Sequence, residues 1–477
     1  MVQASAQPAP GWADLLGEGR LPRFAMVCLG IWLNAADSLV TATIMPSVGA
    51  DLGGYAYFSW ATAGFLMGAI LAGASAGRLS ERFGLRWASA IGGLAFALGC
   101  VASAAAPDIG VFLAGRLVQG IGSGWVAGFS MVAIALLFPE RHLARMFAVA
   151  SGIWGIATIL GPLVGGLFAQ AGDWRAVFWL FTAQALVFTA ASPWLLKGTV
   201  RSAGGQLGVP WPQIGGLGLG VGAIAMADVI PNPAVALALV AAGLGILVLV
   251  MRIDGGARVR LLPRQAGDLR TVCGTAYAAV FALMATSMAL NVYGPAILQT
   301  LHGLSPLWAG YVVAVMALAW TLAAFVVAGA TGAGELRWLL RGAVCILAGA
   351  VLLVVVMRDA PLAWIVGAAL LMGAGFGFSS SLLNRRLIGT LADDDKAIGS
   401  AAMIAVRQTG GAVGAAIAGA TANLVGFGAG LTVETARAAA LWVFVTALPL
   451  AVFGAWAAWR LTVAANAAPA RHEPGRG

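Results

Sequence analysis

Residues 151–166 read SGIWGIATILGPLVGG, placing Gly152, Gly155, Gly161, Pro162, Gly165 and Gly166 in a single apolar run. In water, glycine and proline both weaken a helix, so the stretch is badly suited to a soluble core. In lipid the reasoning reverses. Backbone groups have no water to turn to, so a helix survives a proline, and small residues let a neighbouring helix approach closely. The stretch predicts a membrane helix that packs tightly and bends.

The composition around it agrees. Hydrophobic residues make up 61% of the 477-residue chain and charged residues 9%, against roughly 25% charged in soluble domains. Apolar runs recur from end to end, each of about 20 residues, the length that crosses a bilayer. The expected class is an all-α polytopic membrane protein. The net charge of +9 would suggest nucleic acid in a soluble chain, but here the arginines sit in short connections, which fits topology and leaves no role for a nucleic-acid partner. Cys28, Cys100, Cys273 and Cys345 lie in or beside apolar runs and read as small buried hydrophobes. His142, His302 and His472 form no metal-ligand cluster, and there is no nucleophile motif or glycine-rich phosphate loop after a strand. No metal, no cofactor and no enzymatic activity are expected. The N-terminal segment lacks a basic region followed by a short apolar core and cleavage site, so an uncleaved first membrane helix is expected.

In chain order, a Pro/Ala-containing head (1–22) precedes apolar runs at 24–46, 56–76, 87–105, 109–137, 145–170 and 175–195. These six make an N-terminal bundle within 23–196. A polar linker (197–212) leads to two shorter runs, 213–230 and 234–251, separated by Pro231-Asn232-Pro233, a turn signal that makes 213–251 an inserted hairpin. A basic linker (252–270) then opens a C-terminal bundle, 271–460, with runs at 271–300, 306–331, 337–357, 362–388, 397–425 and 437–460, before a tail at 461–477.

Sorting the basic residues orients the chain. With a cytoplasmic N-terminus, the inner connections receive Arg78, Arg82, Arg86, Arg141, Arg145, Lys197, Arg201, the five arginines between 252 and 270, Arg337, Arg341, Arg385, Arg386 and Lys396. The outer ones hold little beyond Arg175, Arg358 and Arg437. The bias places both termini in the cytoplasm of a bacterial-type inner membrane. Trp residues read as interfacial anchors. Six helices, a hairpin and six more suggest two structural halves, although the halves share no obvious identity.

Three stretches carry motifs. Between the second and third helices lies 77–86, GRLSERFGLR, whose Gly77 and Gly84 allow a tight turn and whose Glu81, Arg82 and Arg86 can form a charge cluster; a plain basic inner loop explains it equally well. The fourth helix carries Arg116-Leu117-Val118-Gln119-Gly120-Ile121-Gly122, and the fifth carries Gly161-Pro162-Leu163-Val164-Gly165-Gly166 followed by Trp174-Arg175. In that order and at that spacing the three resemble the signature motifs of the major facilitator superfamily: the loop motif, the fourth-helix arginine motif and the fifth-helix antiporter motif. Asp37 with Pro46 nine residues on is similar to the first-helix pattern of drug:proton antiporters. With the hairpin, 24–460 resembles the fourteen-helix drug:proton antiporter family. The resemblance implies the major facilitator fold, two six-helix bundles plus the hairpin, and export of amphipathic or hydrophobic compounds in exchange for protons by a monomer, with those small molecules, protons and lipids as its partners. A substrate:proton symporter or a lipid or metabolite exporter on the same scaffold is the alternative, since fold does not fix direction. Glu81 stands where the loop motif usually has Asp, Ala157 replaces the antiporter motif's usual first glycine, and 329–341 has lost most of the loop motif. The second half carries no further carboxylate at membrane depth, so the resemblance does not extend to a strict preference for cationic drugs.

Charges within the bilayer mark function because each costs roughly 2.5–3.5 kcal/mol at a helix centre. At about 1.5 Å per residue, Asp37 lies roughly 21 Å beyond Arg23, and Arg116 roughly 12 Å in from Asp108 on an oppositely directed helix. Both reach the outer half and could meet. Asp37 is expected to accept the coupling proton, with Arg116 stabilising its ionised form when close. The competing reading is a fixed ion pair, or local bonds from Asp37 to Asn34 and Thr41. Arg407, about 16 Å beyond Lys396, is a third coupling candidate. It could pair with Asp37, contact an anionic group of the substrate, or snorkel to the cytoplasm. By the resemblance, the substrate path takes Asn34, Gln119, Tyr277, Ser287 and Asn291. Asp228, near the outer end of the hairpin, is expected to be solvated at the interface, and Arg385 and Arg386 to be interfacial as well.

Overall fold

In a computed structural model of the chain, residues 20–138, 140–197 and 208–467 are described, and every regular element among them is helical. Fourteen helices are long and apolar enough to cross a membrane: α1 (Leu21–Leu52), α2 (Tyr55–Gly73), α3 (Leu79–Ala104), α4 (Ile109–Ile134), α5 (Ala148–Gln170), α6 (Arg175–Leu195), α7 (Trp211–Val229), α8 (Pro233–Gly256), α9 (Val272–Leu301), α10 (Pro306–Val326), α11 (Gly334–Val356), α12 (Leu362–Thr390), α13 (Ile398–Leu424) and α14 (Val433–Asn466). Each answers to one of the expected apolar runs. Local chemistry sets several boundaries. Asp108 caps α4 by accepting from Val111 N at 3.0 Å, and Asn232 caps α8 at Ala234 N (2.9 Å) with Pro233 in the first turn, where its missing N–H costs nothing. Trp194, Trp211, Trp308 and Trp364 stand exposed at span ends, as interfacial anchors would.

The chain divides into two compact units, one within Met1–Gly53 and Met67–Val209, the other within Gly54–Leu66 and Pro210–Gly477. In the first, α1 is packed by α4, α5 and α6. Its apolar residues Val27, Ile31, Leu33, Val40 and Ile44 are all buried. Glycines bring α4 into backbone contact with two neighbours. A Cβ on Gly122 would lie 2.1 Å from Phe96 N of α3, and one on Gly68 of α2 would lie 2.4 Å from Leu117 O of α4. This close approach explains the glycine content of the 116–122 motif.

In the second unit, α9 packs against α13 and α14, and α12 against α10 and α11. The hairpin helices α7 and α8 pair with each other, and α7 packs on α13. Gly410 and Gly414 of α13 face α9, where added Cβ atoms would lie 2.4 Å from Phe281 O and 2.2 Å from Ala285 O. The fifth helix of each half therefore reaches its first through glycines, a structural repeat with no counterpart in residue identity. Inside α9 the helix widens to a π turn over Ala289–Tyr293, which contains Asn291.

Two connections carry structure that the linear reading did not give. The segment 77–86 is not an open loop: α2 and α3 run on as one helical course, Trp60–Ala104, broken at Gly84 (φ 73°, ψ 151°). That left-handed conformation is available to glycine at little cost. After α8 the basic linker is pinned, because buried Asp254 accepts from Leu261 N at 2.7 Å and Leu262 N at 2.8 Å. Most of the 197–212 linker lies outside the described residues, as do the head before 20 and the tail after 467.

Candidate functional site

Arg116 and Gln119 are one turn apart on α4 and share a face, and that face meets Asp37 of α1. Arg116 Nη1 donates to both Asp37 oxygens, Oδ1 at 2.9 Å and Oδ2 at 3.0 Å, and to Gln119 Oε1 at 2.7 Å. Gln119 Nε2 closes the ring by donating to Asp37 Oδ1 at 2.7 Å. All three side chains are buried, with Asp37 and Gln119 at 0% exposure and Arg116 at 1%. The pair foreseen from helix depth is brought together, and Gln119, which sequence reasoning assigned to the substrate path, instead bridges it. Asn34, one turn before Asp37, is turned away to Ser123 Oγ at 2.6 Å. A buried ion pair gains little net stability over an apolar one, but the loss of either member strands a charge. The arrangement suits a carboxylate that changes protonation only when its cation moves with it.

Helix α5 lies against α1 beside this ring. A Cβ on Gly161 would lie 2.8 Å from Leu39 Cβ, and one on Gly165 would lie 3.1 Å from Val40 O. Pro162 and Gly166 are buried in the same turns. The 151–166 stretch thus braces α1 two residues from Asp37 and supplies no titratable group. Gly161→Leu is expected to push α5 off Leu39 and lower the thermal unfolding midpoint in detergent by several degrees; an unchanged midpoint would show that the contact has no bracing role.

Within 77–86, Arg82 lies over the Phe83 ring (5.5 Å) and Arg86 over Trp87 (4.8 Å), while Gly77 lies about two helical turns before the break. Glu81 is half-buried. The side chain of Arg78 lies outside the described residues.

Sequence reasoning missed a charge cluster in the second half. Glu335, buried at the start of α11, receives Arg385 Nη1 at 2.9 Å and Arg386 Nε at 2.5 Å from the end of α12. Arg385 also donates to Ala330 O (2.9 Å) and Arg386 to Gly332 O (3.0 Å). The two arginines clamp the end of α12 to the start of α11. The available signal was that Glu335 is the sole acid between 329 and 341.

The other candidates belong to the second unit, where each is described by its own partners. Tyr277 is buried and donates to Gly399 O at 3.0 Å; Ser287 donates to Met284 O at 2.8 Å, and Asn291 to Ser287 O at 3.0 Å. Arg407 is exposed on α13 and makes no ion pair among the described residues. Asp228, expected to be solvated, is 1% exposed: the end of α7 folds it under α13, where Asn423 Nδ2 meets its Oδ1 at 2.6 Å.

A model described as Major Facilitator Superfamily matches residues 27–415. A relative in Mycobacterium tuberculosis (strain H37Rv), named a probable multidrug-efflux transporter, is 30% identical over 463 residues, covering 94% of this chain and 96% of its own. Multidrug resistance protein 3 of Bacillus subtilis is 31% identical over 153 residues, 32% of this chain and 30% of its own. Among solved structures, a peptide transporter POT in complex with alafosfalin superposes with a TM-score of 0.67 at 15% identity, covering 96% of this chain and 97% of its own.

Proposed function

The chain belongs to the Major Facilitator Superfamily, and from that premise we propose that it is a proton-coupled exporter of amphipathic or hydrophobic compounds working by alternating access. The observation that carries the reading is the closed, fully buried ring of Asp37, Arg116 and Gln119 between α1 and α4. The M. tuberculosis relative, similar along nearly the whole chain and named a probable multidrug-efflux transporter, supports the same reading.

In this reading Asp37 takes the proton. Neutralising it releases Arg116 from its ion-pair geometry, so α1 and α4 can shift against each other, with α5 following α1 through Gly161 and Gly165. Return of the charge restores the ring. The helices 23–196 and 271–460 act as the two bundles of the rocking cycle, and 77–86 latches the cytoplasmic side in one state. The bias of basic residues puts both termini in the cytoplasm of a bacterial-type plasma membrane. The exporter works as a monomer. The energetics suffice: one charge crossing about 100 mV yields about 2.3 kcal/mol, enough for a gradient of roughly 50-fold.

The direct test uses the purified full-length chain in proteoliposomes with a fluorescent amphipathic dye and an imposed proton gradient. Dye is expected to move against the proton flux and to stop when the gradient is collapsed. Dye moving with the protons would establish symport and overturn the exporter reading.

A further inference from the structure

The inserted hairpin carries a second buried carboxylate. Asp228 sits in the short turn Ala227–Val229 that ends α7. Ser59, at the start of α2, donates to its Oδ2. Asn423 of α13 places Nδ2 at 2.6 Å from Asp228 Oδ1, 2.7 Å from Asp228 O and 2.6 Å from Ala56 O. The backbone of α13 reaches the carboxyl directly, because a Cβ on Gly419 would lie 2.4 Å from Asp228 Oδ2. The hairpin, the start of α2 and α13 therefore meet at one acidic side chain.

Counting hydrogens leaves the cluster one short. An amide NH₂ has two and a serine hydroxyl one, while four oxygens crowd these donors: Ala56 O, Asp228 O and both carboxyl oxygens. The Asn423 Oδ1 atom is also buried with no partner among the described residues. Every group bonded to the carboxyl is neutral, and no Lys, Arg or His forms an ion pair with it among the described residues. Asp37 differs in this respect, since it is held by a guanidinium. On the elements packed round Asp228 the titratable groups are Tyr55 and Tyr57 in the turn 55–57, Arg252 and Asp254 at the far end of α8, and Arg407 with the charged residues 393–396 toward the other end of the α13 helix; Tyr293 of α9 packs on Phe58, next to Ser59. Tyr293 is wholly buried with its hydroxyl unpartnered among the described residues. Arg407, the nearest cation along α13, is twelve residues from Gly419, about 18 Å along a helix. An ionised carboxylate deprived of both water and a cation is costly, whereas a carboxylic acid supplies the missing hydrogen.

We propose that Asp228 is a second proton-binding carboxyl, separate from Asp37, whose proton locks the hairpin to α13 and to the start of α2. On release the O–H bond breaks, its electron pair stays on the carboxylate, and the proton passes to water. The stranded charge then draws the turn at 227–229 out toward water and undocks the hairpin. This site is independent of the exporter reading, and its test needs no transport.

The experiment compares the full-length chain in lipid with Asp228→Asn, by infrared spectroscopy of carboxylic acid groups across a pH series and by spin-label distance between Leu237→Cys on α8 and Val433→Cys on α14, with the native cysteines replaced. In wild type, an acid band absent from Asp228→Asn is expected to be lost as pH rises, and the label distance to broaden over the same range. Asp228→Asn, neutral at every pH, is expected to lose the pH response and stay docked. A wild type with no such band at low pH, or with a band and a distance unchanged throughout, overturns the proposal. If Asp228→Asn does not fold, the distance measurement with Asp228 intact decides alone: docking indifferent to pH refutes it.

Discussion

Asp37→Asn is expected to abolish proton-driven export. The amide keeps the shape of the carboxyl, and Gln119 Nε2, now 2.7 Å from Asp37 Oδ1, still finds an acceptor. What disappears is the charge that answers Arg116 and, in the proposed cycle, the group that takes the proton. The substitution also leaves a guanidinium of 1% exposure without its counter-ion, so some loss of stability accompanies the loss of coupling. Asp37→Asn combined with Arg116→Gln separates the two effects. With neither charge present, the double variant is expected to regain stability and remain uncoupled. The measurement is dye flux in proteoliposomes with and without an imposed proton gradient, at protein amounts matched by folded fraction. Gradient-driven transport at the wild-type level in Asp37→Asn would remove this residue from the coupling step.

Arg116→Ala is expected to be the most destabilising single change in the ring, by about 3–5 kcal/mol, the range for stripping one partner from a buried pair. Three hydrogen bonds from Nη1 vanish together, and Asp37, at 0% exposure, is left with neutral donors such as Gln119. Arg116→Lys fares only slightly better, because a shorter ammonium cannot span two carboxyl oxygens and Gln119 Oε1 from the same backbone position. Denaturant or thermal unfolding in detergent reads the difference. The decisive comparison is with Arg116→Ala carrying Asp37→Asn, which is expected to recover most of the loss. Equal stability of the single and double variants would mean that Asp37 carries no charge once Arg116 is removed, so that a stranded carboxylate does not account for the loss.

Gly161 and Arg116 illustrate what the linear chain made legible. Glycine and proline inside an apolar run have one consistent physical reading, and the recurrence of such runs made all fourteen helices readable to within a few residues at most ends. Depth along a helix follows from residue count, so the meeting of Asp37 with Arg116 was foreseeable. Partners set by side-chain direction were not. Gln119 reads as a cavity residue, and its bond to Asp37 depends on the rotation of α4; Arg385 and Arg386 read as interfacial charges, and only the end of α12 brings Glu335 to them. The segment 77–86 looked like a loop because its residues are polar, yet helical hydrogen bonding continues through it as far as Gly84.

The sequence by itself determined the solvent of this protein, the number and order of its helices, and the helix bearing each membrane charge, because hydropathy and spacing are local properties. Only the tertiary structure decided which of those charges are answered and by what. Asp37 lies against a cation, while Asp228, one of 18 acids in a basic chain, lies against an amide and a hydroxyl. The difference arises from which helix faces pack together, and distances of that kind, between residues 79 and 195 positions apart, belong to the folded chain alone.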